Sequence, residues 1–121
     1  MSYHIEKQNA LEFLERVKDI IESCSILRDK DDETIGYDIF EEGCVNDVIF
    51  CFNAVDLQDL TENWIISDEV YEKLLSFGDR VRWMENNNMK NWTVEAVKTD
   101  TEWTDIIEFA NEIKSLLAIN D

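Results

Sequence analysis

Apolar residues recur at helical spacing over three long stretches of the chain. In the first, Leu14, Val17, Ile21 and Cys24 step by three and four, and Leu11, Phe13 and Ile20 widen the stripe. That period predicts a helix with one face turned to a core. Asn9 stands before it as a capping residue, with Glu12 three positions on in capping-box relation. In the second stretch Val70, Leu74, Phe77, Val81 and Met84 form the stripe, which runs past Gly78 and fades in the polar run 85–88. Ser67 is its predicted cap, Asp68 and Glu69 suit the positive end of the helix dipole, and Ile66 and Tyr71 are placed for a hydrophobic staple. The third begins near Asp100 or Thr101, with Trp103, Ile106, Ile107, Ala110, Ile113, Leu116 and Leu117 on its apolar face. Residues 119–121 are expected to fray.

The middle of the chain is ambiguous. Val45, Val48, Ile49, Phe52 and Val55 match a helix period, yet the run VIFCF within them also suits a short buried strand. Ile35, Ile39 and Phe40 continue a similar register upstream, which favours helix with a break near Gly43. NWTVEAV, residues 91–97, is equally divided: Trp92, Val94 and Ala96 alternate, while Thr93 suits a helix start. The expected fold is therefore mainly α, a compact helical bundle in one domain spanning 1–121. The alternative is an α+β domain with a small sheet formed by residues 45–53 and 91–97.

Composition adds a constraint on partners. The chain has 121 residues with 45% hydrophobic positions and a formal net charge of −17, from 28 Asp and Glu against 11 Lys and Arg. A domain of this length buries roughly 65% of its unfolded surface, and its apolar content separates it from disordered chains. Direct nucleic-acid binding is not expected, because phosphate contacts need clustered Lys and Arg. Contact with an anionic membrane is disfavoured for the same reason. No apolar run reaches the roughly 18 residues of a membrane span, and the N-terminus lacks the basic and apolar regions of a secretory signal. The expected location is the cytoplasm. Cys24, Cys44 and Cys51 form no C-x-x-C pair and are expected to be buried free thiols of a reducing compartment.

No catalytic motif stands out. A calcium loop opened at Asp31 would place Glu33 third, Gly36 sixth and Glu42 twelfth, but Ile35 and Ile39 occupy ligand positions. The one imidazole, His4, has no second histidine to complete a metal site or to serve a nucleophile. Carboxylates are too abundant for any pair to be diagnostic, and there is no glycine-rich phosphate loop. The reading is of a protein that is not an enzyme and takes no cofactor or metal. Among the four tryptophans, Trp103 belongs to a core stripe. Trp64 and Trp83 lie off one, and packing against a neighbouring helix is their default reading; exposed, they would serve as interface anchors.

The remaining signal is one of sign. Residues 29–47, DKDDETIGYDIFEEGCVND, open a stretch of 42 residues, Asp31 to Glu72, with thirteen Asp and Glu and no Lys, Arg or His. Ordinary surfaces intersperse charges. A face of one sign steers a basic partner and raises its association rate. The residues expected to form that face are Asp31, Asp32, Glu33, Tyr37, Asp38, Glu41, Glu42, Asp47, Asp56, Asp59 and Trp64. Ile35, Ile39 and Phe40 would anchor it to the core while Asp38, Glu41 and Glu42 point outward.

In length, in the acidity of DKDDETIGYDIFEEG, and in the endings WTVEAV and DTEWTDIIEFA, the chain resembles the small acidic cytoplasmic immunity proteins of bacterial toxin–immunity systems, including contact-dependent inhibition. The resemblance implies a protein that binds and neutralises a cognate basic toxin, a nuclease first among the candidates. Colicin-nuclease immunity proteins present paired tyrosines beside their acidic helix. This chain has no adjacent tyrosines, so no functional residue is carried over. Two other functions fit the composition: a nucleic-acid mimic that inhibits a defence enzyme, and a carboxylate- or metal-dependent enzyme.

Overall fold

The three stripes become the longest helices. In the computed structural model, which describes the backbone of residues 2–119 and the side chains of 9–118, these are α1 (Ser2–Ser25), α5 (Asp68–Asn87) and α7 (Thr101–Ile119). Four shorter helices complete the chain: α2 (Asp32–Phe40), α3 (Cys44–Cys51), α4 (Ala54–Glu62) and α6 (Val94–Thr99), with 3₁₀ turns at Leu27–Asp29 and Met89–Asn91. There is no strand among the described residues. The helical bundle is the fold, and the sheet alternative is overturned. VIFCF lies almost wholly within α3, and Thr93 caps α6 by accepting from the Ala96 amide at 3.0 Å. Of residues 119–121, expected to fray, Ile119 is the last residue of α7, and residues 120–121, like the His4 side chain, lie outside the described residues.

α1 packs against α7, α3 and α4, while α5 packs against α7, α4 and α3. The apolar residues between them form one continuous core. Every member of the α5 stripe, from Val70 to Met84, is buried, as are Leu14, Val17, Ile20, Ile21 and Cys24 of α1. Phe77 sits at the centre, with ring centroids 6.1 Å from Phe52 and 5.5 Å from Phe109. Trp92 and Trp103, 5.3 Å apart, seal the other end. Each buried indole N–H donates to a carbonyl: Trp92 to Ile39 at 2.8 Å and Trp103 to Asn91 at 2.7 Å. A buried indole without such a partner would carry an unmet donor.

Four expectations about the helix pattern need correction, the first being Leu11, which widens the predicted α1 stripe but is 46% exposed. Asn9 does not open α1, which begins at Ser2; the helix extends through the polar residues before the stripe because a helix needs no apolar face to continue. Val55, on the same predicted stripe as Phe52, is 77% exposed. Asn53 explains the change, since its side chain accepts from the Asp56 amide at 2.9 Å and starts a new helix, whose buried face is Leu57 and Leu60. Phe40 is 59% exposed rather than an anchor. α2 ends there, with Ile35 and Ile39 already filling its inward side.

Two arginines are consumed in holding helix ends. Arg28 donates to the carbonyls of Val97 at 2.8 Å and Asp100 at 3.0 Å, closing α6. Arg82 donates to Ile49 at 3.1 Å and Phe52 at 2.9 Å, closing α3. Last-turn carbonyls have no partner within their own helix, and a guanidinium there meets both their hydrogen-bonding need and the negative end of the dipole.

Candidate protein-docking face

The acidic stretch folds into α2, α3, α4 and the first turn of α5. Its partial likeness to a calcium loop disappears at this level, because Asp32 to Phe40 is helix and no turn forms around Gly36. No group of three metal-ligating side chains converges among the described residues. What the segment does form divides into three parts.

The first part lies at the start of α2. Asp31 caps the helix, accepting from the Thr34 amide at 2.7 Å. That hydrogen bond holds its carboxyl below the ordinary range. Asp32 pairs with Lys98 of α6 at 2.6 Å. Glu33 and Tyr37 are exposed. Two of the four expected docking residues here thus have structural partners, and α6 supplies the missing base.

The second part corrects the sequence reading. Asp38 was expected to point outward, yet it is 5% exposed. Its Oδ2 lies 2.6 Å from Lys30 Nζ, which also donates to Ser23 Oγ at 2.5 Å. Its Oδ1 accepts from the Cys44 amide at 3.4 Å. A carboxylate thus sits at the amino end of α3, where the cap residue is Gly43 and offers no side chain. Gly43 must be glycine, because a Cβ there would lie 2.1 Å from Asp38 Oδ1 and 2.2 Å from Asp38 Cα. Asp38 is the pin of the α2–α3 junction. A buried carboxylate costs several kcal/mol unless paired, and Asp38 meets that need with Lys30, the base immediately before the acidic stretch.

The third part runs along α1. Glu41 and Glu42 are exposed in the α2–α3 turn. Asp47 of α3 faces Arg16 of α1 at 3.7 Å. Its carboxyl is raised first by burial and then, against Arg16, by the like charges of Asp38 and Glu42. Asp56 and Asp59 of α4 continue the line and, with Glu62 and Asn63, form one wall of a groove of about 600 Å³. Asn9, Ala10 and Phe13 of α1 form the rest of its lining. An apolar floor beside carboxylates suits a Lys or Arg side chain, whose stem is hydrocarbon and whose head is cationic.

Trp64 follows Asn63 directly. Its amide donates to Thr61 O at 3.1 Å, and the Ile65 amide donates to Leu60 O at 2.9 Å. These are the paired bonds of a Schellman end to α4, in which the residue at this place takes a left-handed backbone and is most often glycine. Here it is a tryptophan with φ of 59° and 92% of its surface exposed. A tryptophan there has neither the backbone freedom of glycine nor burial for its ring. Trp83 is also exposed, so the default reading of both as packed residues is corrected, while Trp103 is fully buried as expected.

Sequence reasoning missed the contribution of α1. Asn9, Phe13, Arg16 and Asp19 line the groove and the neighbouring cleft, and Asn9 read as a cap. Phe50, exposed on α3 inside the acidic stretch, stands off the predicted helix stripe and belongs only to the run VIFCF that suited a buried strand. Of the thirteen acidic residues between Asp31 and Glu72, three, namely Asp32, Asp38 and Asp47, form ion pairs among the described residues. Among the described residues, five of the nine exposed large apolar side chains, Tyr37, Phe40, Phe50, Val55 and Trp64, fall in the same stretch. No family model, curated protein or solved structure matches the chain.

Proposed function

We propose that this chain is a stoichiometric binding protein that captures a basic protein through the surface formed by α4, the α2–α3 turn and the adjoining side of α1. The observation that carries the proposal is the junction of two features: a 42-residue stretch without a base, and within it Trp64, held 92% exposed in a backbone conformation that favours glycine. Strained backbone persists where something else selects for it, and Trp is the residue most enriched at binding hot spots. Carboxylates around an aromatic anchor give fast, salt-dependent capture with a buried centre.

The biological reading is that of an immunity protein, which occupies the basic substrate cleft of a cognate toxin, a nuclease being the class whose cleft has the complementary charge. Glu41, Glu42, Asp47, Asp56, Asp59 and Trp64 are the contact residues in this reading. Asp31, Asp32 and Asp38 leave the set because each is committed to a short internal bond, whereas Asp47 meets Arg16 only at 3.7 Å. The test is genetic. Expression of the gene adjacent to this one in its native host should arrest growth, and co-expression of this chain should restore it. Asp56→Lys with Asp59→Lys should abolish the rescue without unfolding the chain. An adjacent product that is harmless, or rescue that survives the two reversals, overturns the proposal.

A further inference from the structure

Exposed apolar surface also gathers where the docking reading makes no use of it. Among the described residues, four large apolar side chains are exposed outside the acidic stretch, and two of them, Trp83 and Met89, belong to the last turns of α5 and to the 3₁₀ turn packed against it. Trp83 is 56% exposed and lines an open cleft of about 470 Å³ with Arg80, Met84 and Glu102. Arg80 and Trp83, three residues apart, share a face of α5, while Glu102 comes from the first turn of α7. Arg80 meets Asp105 at 3.3 Å in an exposed pair, an interaction worth little, and Glu102 accepts from Asn88 at 2.8 Å. The sign of the charge differs here from the rest of the molecule. Residues 79–90 carry three Lys and Arg against two Asp and Glu, in a chain whose net charge is −17.

Two copies that each carry −17 repel one another, and the repulsion is least where both signs are interspersed. A two-fold contact joins a patch to itself. A cleft with a cation on one helix and a carboxylate on the other is therefore complementary to its own copy, whereas the basic protein that suits the acidic face would be repelled by Arg80 and Lys90. We propose that this patch is the interface of a homodimer, in which Trp83 of each copy enters the cleft of the other and Arg80 of one copy faces Glu102 of the other across the two-fold axis. Trp and Arg are enriched at such contacts, and a guanidinium over an indole face adds a cation–π attraction. Size sets the strength. An aromatic side chain buries about 150–250 Å², and a stable complex needs about 1,200 Å² or more in total, so two Trp83 and two Met89 centre a small interface. The dimer forms and separates with concentration. It shares no residue with the acidic face and stands or falls independently of the capture reading.

Sedimentation equilibrium of the full chain, under reductant, tests this over a range of protein concentrations at low and high salt. The expected result is a monomer–dimer equilibrium that strengthens as salt rises, because screening relieves the repulsion between like-charged copies; this is the opposite of the salt dependence of capture by the acidic face. Trp83→Ala, checked by circular dichroism, should weaken the dimer by a factor of about 10 or more, and Trp64→Ala should leave it unchanged. Arg80→Glu and Glu102→Arg should each weaken it alone and restore it when the two variants are mixed, since each then meets the opposite charge. A single monomer mass at every concentration and salt overturns the proposal. So does a dimer that survives Trp83→Ala or is lost in Trp64→Ala, or a mixture of the charge variants that associates no better than either alone.

Discussion

Replacing Lys30 by methionine separates a structural Asp38 from one that belongs to the docking face. The wild-type pair is 2.6 Å apart, with side chains 15% and 7% exposed, so neither charge is well solvated. Methionine keeps the length of the stem and removes the cation. Asp38 then remains buried beside the amino end of α3 with the Cys44 amide as its remaining donor. Breaking a buried pair on one side costs about 3–5 kcal/mol. Against a typical total of about 5–15 kcal/mol, this is a large share, and it corresponds to a fall in Tm on the order of 10–20 °C for a domain of this size. Urea unfolding followed by far-UV circular dichroism measures it directly. Adding Asp38→Asn to the variant removes the stranded charge while keeping an oxygen for the Cys44 amide, and should recover about 1–2 kcal/mol or more. A loss below about 1 kcal/mol in Lys30→Met, the range of surface pairs, would refute the buried-pin reasoning and return Asp38 to the exposed face.

Further outcomes follow from the same junction and from the helix ends. Gly43→Ala drives a Cβ to 2.1 Å from Asp38 Oδ1 and 2.2 Å from Asp38 Cα; a loss of about 2 kcal/mol or more is expected in thermal unfolding, and an unchanged Tm would contradict the close approach. Trp64→Gly should raise stability by up to about 1 kcal/mol, because glycine adopts the left-handed conformation freely and no buried ring is lost; the same variant should weaken partner capture, so a stability loss would show that the indole packs after all. Asp31, whose carboxyl is lowered by the Thr34 amide, contributes stability that is present above the ordinary carboxylate range and is lost as pH falls through its folded value. Asp31→Ala should therefore lower Tm at neutral pH and show less of a difference from wild type in acid, a contrast that differential scanning calorimetry across pH would reveal or deny.

The long helices were legible because each carries an uninterrupted apolar stripe, and a stripe of four or more turns has one geometric reading. Ser67, Thr93 and Asp31 act as caps at their helix starts; the pattern names Ser67 as a cap and offers Thr93 as one of two readings of its segment, but does not mark Asp31. The short middle helices were harder. VIFCF is too brief to show its period, and its neighbour Asn53 resets the register, so Val55 falls outward. The acidic character of residues 31–72 was plain, but its division was not. Sequence gives the sign of a charge; it does not say that Lys30, just before the stretch, reaches back to Asp38, or that Lys98 from α6 meets Asp32. The exposure of Trp64 was equally hidden, since a Trp before a helix cap reads as packed until the end of α4 is seen to place it in a glycine position.

The most direct measurement of the central claim is the association rate with the basic protein retained from the native host, determined for wild type, Glu41→Lys with Glu42→Lys, and Asp56→Lys with Asp59→Lys across ionic strength. Steering by the face formed of α4 and the α2–α3 turn predicts a wild-type rate that falls steeply as salt rises, and reversals that slow association at low salt and flatten that dependence. A rate independent of salt, or unchanged in both reversed variants, would contradict it.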